Sequence, residues 1–174
     1  KSNLYLPYML GSNTKINDGG LTLKEEGRYL RDMVCKWLKV HGDDIYAGTE
    51  KKIKEFILDP DEDDDFIDNF LSRDDKVLLS IDKKYKKYLE YMSKPSSYGG
   101  VCEIYSIGKL LRRNIRLYNQ TDTGEYRSTG VGFYSDEYKE IPTIGIYHTV
   151  LKNHYKTLYP KKTGSIEIGG MVKS

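Results

Sequence analysis

The chain has 174 residues, 31% of them charged, with 28 Lys and Arg against 26 Asp and Glu and a net charge of +2. That length suits a single compact domain over residues 1–174 with a real core. The near-balance of charge argues against a dedicated nucleic-acid binder, which carries a marked basic excess.

Residues 1–20 hold a short apolar piece, LYLPYML, and then the polar loop GSNTKINDGG. Pro7 fits the first turn of a helix but not its interior. Residues 22–41 predict the first long helix: Leu23, Tyr29, Leu30, Met33, Val34, Trp37 and Leu38 recur at helical spacing. Thr22 and Glu25 match a capping box, and Trp37 is expected to be largely buried. Residues 42–75 read as a lengthened region, with short helices at best in KKIKEFIL and DFIDNFL. Between them, DPDEDDD offers carboxylates to a hard cation but lacks the glycine and closing glutamate of an EF-hand loop. A solvated charge cluster is the expectation. No metal or other cofactor is assigned, and the acidic stretch 59–68 should lie at the surface.

Residues 75–92 predict a second long helix, striped by Val77, Leu78, Ile81, Tyr85, Tyr88, Leu89 and Met92, with KKYKK as its solvated basic face. SKPSSYGG breaks the chain. A third helix follows near 100–112, ending in basic residues that suit a helix C-terminus. Strands are predicted at 114–119, 143–149 and 154–159, the last two joined by the turn VLKN as an antiparallel hairpin. VGFY and SIEI are shorter strand candidates, and TDTGEYRSTG is a turn-rich excursion. Helices thus dominate the first two-thirds and a small sheet the last, which makes an α+β or layered α/β domain.

Cys35 and Cys102 lack metal-type spacing and read as reduced thiols, and His41, His148 and His154 are too scattered to suggest zinc. Sixteen tyrosines against four phenylalanines fit rings with apolar bodies and wet tips. No apolar run approaches the roughly 18 residues of a membrane helix, and no signal-peptide pattern opens the sequence. A cytoplasmic, intracellular setting with no membrane partner is therefore expected. Lys1 in place of a methionine fits a piece excised from a longer polypeptide.

Three pieces carry a resemblance: YLRDMVCKWLKVHGDDI, YLEYMSKPSSYGGVCEIYSIGKLLRRNIRLYN and IGIYHTVLKNHYKTLYP. In this order they resemble the OTU (ovarian tumour) domain, a papain-like cysteine protease fold that cleaves ubiquitin and related modifiers. The resemblance spans most of the chain apart from residues 42–75. It implies a small twisted sheet flanked by helices.

The resemblance also implies where a catalytic site would lie. The family nucleophile sits in an Asp-Gly-Asn-Cys motif just before the Leu-Arg helix, where a helix N-terminus and an imidazole favour the thiolate. The matching stretch here is KSNL: Asn3 keeps the asparagine, Lys1 and Ser2 replace the aspartate and glycine, and Leu4 takes the cysteine's place. Leucine has no lone pair and no proton to lose, so it cannot attack a carbonyl. His154 matches the catalytic histidine, within His-Tyr. Many members carry an aspartate or asparagine two residues later; here that residue is Lys156, a cation that disfavours imidazolium and cannot accept the ring N–H. Asn153 is a substitute acceptor. Cys35 lies on an apolar helix side and reads as packed, whereas Cys102, near a helix start, has some thiolate bias.

His154, Asn3 and Leu4 therefore read as a dismantled site, with Leu4 and His154 expected face to face. The function implied is an OTU-like pseudoenzyme, a non-catalytic binding module for ubiquitin or a ubiquitin-like protein. Two alternatives stay open. One is a structural or assembly subunit of a larger complex or polyprotein; the other is an active OTU-type deubiquitinase with a displaced nucleophile.

Overall fold

Helix α1 runs from Leu23 to His41, with Glu25 and Glu26 in its first turn and Lys39 and His41 in its last, each sign placed to complement the helix dipole. A computed structural model describes residues 23–59, 66–97, 99–149, 154–160 and 166–168. The buried row of α1 is Glu26, Leu30, Val34 and Leu38, at four-residue steps, with Arg31 beside it. Tyr29, expected in the apolar stripe, lies off that row and is 59% exposed; its ring carries a polar tip that water accepts. Trp37 is only half-buried. Its outer face is covered by the His41 ring, stacked at 4.2 Å.

The chain divides into two compact units, one spanning Arg31–Tyr98 and the other formed by the residues up to Leu30 and from Gly99. The first unit is helical. It contains the later part of α1, α2 (Ile53–Ile57), a π-helical turn at Phe66–Phe70, α3 (Arg73–Leu78) and α4 (Ile81–Met92). Val34, Leu38, Ile53, Ile57, Phe66, Leu71, Tyr85, Tyr88 and Met92 are buried there. The α2 helix and the π turn both pack on α4. The Phe66 ring meets Tyr88 edge-on at 5.2 Å, and Tyr85 donates its hydroxyl to the Leu38 carbonyl at 2.7 Å.

Two expectations are corrected in this unit. The helix expected over 75–92 is two helices, because Ser72 and Ser80 each cap a separate one: their hydroxyls accept from Asp75 N–H at 3.0 Å and Lys83 N–H at 3.4 Å. An N-cap serine takes extended backbone angles and so interrupts a continuous helix. Val77 and Leu78, expected on the buried stripe, end the first helix and are 78% and 77% exposed. The acidic stretch 59–68 does not lie wholly at the surface either. Phe66 is fully buried, an aromatic ring of that size bringing a large apolar area to the core. Residues 60–65 of that stretch lie outside the described residues.

The second unit holds α5 (Val101–Leu111) and a five-stranded sheet. Its strands are β1 (Ile115–Gln120), β2 (Tyr126–Phe133), β3 (Ile144–Thr149), β4 (His154–Pro160) and β5 (Ile166–Ile168). The order is β2-β1-β3-β4-β5, with β1 and β3 parallel and the other neighbours antiparallel. Residues 121–130, expected as an excursion, are the β1–β2 turn and the first half of β2. Ile104 and Ile107 of α5 are buried, as are Ile115, Leu117, Phe133, Ile144 and Ile146 of the sheet. The approach of helix to sheet is set at Gly108, where any Cβ would fall 2.3 Å from the Phe133 ring. Arg112 then ends α5 in the left-handed region at φ 52°. Asn114 ties the start of the sheet to Ser135 through hydrogen bonds in both directions, 2.8 and 3.2 Å long.

Candidate functional site

His154 is the first residue of β4 and pairs in register with Thr149, the last residue of β3. The antiparallel pairing expected from the alternation of IGIYHT and HYKTLY is present, while the turn VLKN lies outside the described residues; the histidine stands at one end of the sheet. Lys156 follows at the next position of the same parity, opposite Tyr147, and is exposed. Tyr155 takes the other parity. It pairs with His148, and the two rings lie 5.0 Å apart. Burial raises the Tyr155 pKa above its usual range, and the charge of Glu103 adds to the rise.

Glu103 is 2% exposed. It sits in the first turn of α5, where its Oε2 accepts the Gly100 N–H at 2.7 Å. One of the orphan donors at that helix start is thereby satisfied. The Gly-Gly turn, the Glu-Ile of α5 and the His-Tyr of β4 therefore belong to one unit, and Glu103 and Tyr155 act on each other electrostatically. Sequence reasoning alone gives Glu103 no role, although it lies within GVCEIY. A glutamate three residues after a helix-starting glycine is the signal that could have found it. Glu26, 1% exposed, is a second buried carboxylate of this unit, and its Oε2 has no hydrogen-bond partner.

Cys102 is 3% exposed near the start of α5, with its carbonyl accepting the Ser106 hydroxyl at 2.7 Å. Cys35 is half-buried, and neither thiol is in a disulfide. Cys35 borders an open groove of about 550 Å³ between α1 and α4, edged by Lys36, Lys39 and Lys86 and floored by Tyr85 and Leu89. At one end of the groove Lys54 bridges Asp43 at 2.6 Å and Asp82 at 2.7 Å, and both hydrogen bonds raise its pKa. No group of three metal-ligating side chains occurs among the described residues.

Lys1, Ser2, Asn3, Leu4 and Asn153 lie outside the described residues, and with them the expected contact of Leu4 with His154. The Leu-Arg pair, by contrast, is fully described. Leu30 is 2% and Arg31 6% exposed, and Arg31 donates from Nη1 to the Met92 carbonyl at 2.9 Å. Met92 ends α4, so the guanidinium satisfies one of that helix's orphan carbonyls and places a cation at its negative end.

The sequence matches the family model described as OTU-like cysteine protease over residues 12–155. The chain belongs to this family, and its α+β fold is the one the resemblance implied. The matched span contains His154 and begins after Asn3 and Leu4. Among solved structures the chain is similar to the OTUD1 OTU domain, with 14% identity, 76% of this chain and 68% of that chain covered, and a TM-score of 0.44. No curated protein matches it. Among the described residues, no helix is long and apolar enough to cross a membrane.

Proposed function

We propose that this chain is a single OTU domain over residues 1–174 that serves as a non-catalytic binding module for ubiquitin or a ubiquitin-like protein in an intracellular setting. What supports this reading is the likeness of KSNL to the family's nucleophile motif, with a leucine, Leu4, where that motif has its cysteine. Acyl transfer in this fold needs a thiolate, an oriented imidazole and backbone donors for the oxyanion, and a leucine side chain supplies none of the first. Lys156 weakens the second requirement by placing a cation where an orienting acceptor would stand. Within residues 1–174 a displaced nucleophile would be Cys35 or Cys102. Cys102 is 3% exposed, which is poor access for a substrate carbonyl, and Cys35 lies on the helix after the motif.

Two measurements test the reading together. Ubiquitin carrying a thiol-reactive C-terminus should leave the wild-type chain unlabelled, while unmodified ubiquitin, titrated by NMR, should shift a contiguous set of resonances. Labelling of Cys102, or turnover of a ubiquitin substrate, would establish an active enzyme instead. Absence of both labelling and binding would assign the fold to a structural subunit of a larger assembly.

A further inference from the structure

We draw no further inference here: the strongest candidate, the open groove between α1 and α4 that Cys35 borders, has its four lysines nearly balanced by three carboxylates, so its charge selects no ligand, and nothing in the structure shows what covers it.

Discussion

Arg31 Nη1 reaches the carbonyl oxygen of Met92, 61 residues along the chain, and lies 3.5 Å from the Met92 sulfur. Both residues are buried, at 6% and 1% exposure. Arg31, of the Leu-Arg pair that carried the family resemblance, is thus a structural clamp within the helical unit. Replacing Arg31 by alanine removes a charge-assisted hydrogen bond and leaves a buried carbonyl unmet, so stability to urea should fall by about 2–3 kcal/mol. Lysine should recover little of it, because a compact ammonium on a flexible stem does not reproduce the planar fork. An alanine variant with an unchanged urea midpoint would show that the clamp contributes nothing to stability.

Gly108 offers a cleaner test of packing between α5 and the sheet. A methyl group there falls 2.3 to 2.6 Å from Phe133 atoms, and the ring is itself buried at 5% exposure and meets Tyr105 edge-on. Gly108→Ala should destabilise by about 1–3 kcal/mol through overpacking. Combined with Phe133→Leu, the loss should be less than the sum of the two single losses, since the smaller side chain makes room for the methyl. Strict additivity in thermal or urea melts would show that the clash is relieved elsewhere.

Phe66, within the acidic stretch 59–68, is fully buried. Phe66→Ala should lower stability by about 3–5 kcal/mol, the usual range for a buried ring. Shortening the acidic run upstream, within residues 61–65, should change it by only a fraction of that, since loop length enters logarithmically. Equal losses in the two variants would show that the acidic residues are part of the core's support.

The carboxyl of Asp75 is held below its ordinary value of 3.8 by hydrogen bonds from Lys87 and Ser72. A group with a lowered folded pKa stabilises above its unfolded pKa and loses that contribution as pH falls through the folded value. The gap in melting temperature between the wild type and Asp75→Asn should therefore be fully open near neutral pH and close as the pH falls below the ordinary carboxyl value of 3.8 and through the lowered folded one. Salt should narrow it too, the pair being at the surface. A gap that does not change with pH would assign the effect to the Ser72 cap alone.

Much of the fold was legible because it rests on period. The strands expected at 143–149 and 154–159 form at Ile144–Thr149 and His154–Pro160, since alternation fixes which residues face the core. The single helix expected over 75–92 failed because Val77, Leu78 and Ile81 keep helical spacing straight through Ser80, which in fact starts a new helix. Phe66 was hidden by the carboxylates around it, although Phe66 and Phe70 stand one helical step apart. Of the site, His154 and its place at a strand start could be read from the sequence. The burial of Arg31 could not, because a charge within an apolar stripe reads as solvent-facing until its partner, here the Met92 carbonyl 61 residues further on, is known.

Restoring the thiol alone should not restore chemistry. On the proposed reading, Leu4→Cys puts a thiol where the family nucleophile would stand while Lys156 leaves the imidazole without an orienting acceptor, and loss of such a group in a triad lowers the rate by about four orders of magnitude. Leu4→Cys should show slow labelling by a reactive ubiquitin at most. Adding Lys156→Asp should raise labelling by more than the two separate effects combined, because the groups act as a unit. Rapid turnover by Leu4→Cys alone would mean that Asn153 or another neighbour already orients His154.

The two margins of the sheet are both short of what a neighbouring chain needs. On one side β5 spans only three residues, Ile166–Ile168. On the other, β2 carries Gly130 and Gly132 at φ 76° and 145°, with a register shift opposite Arg116 and Tyr118. At Gly132 a Cβ would fall 2.1 Å from the Ile115 carbonyl oxygen, so no other residue can straighten this margin without breaking the pairing inside it. Among the described residues such margins offer no long, flat template for strand addition. A chain with sixteen tyrosines, held at high concentration, should therefore resist fibrous growth through its sheet, and a substitution that flattened β2 would put that resistance at risk before it touched any binding surface.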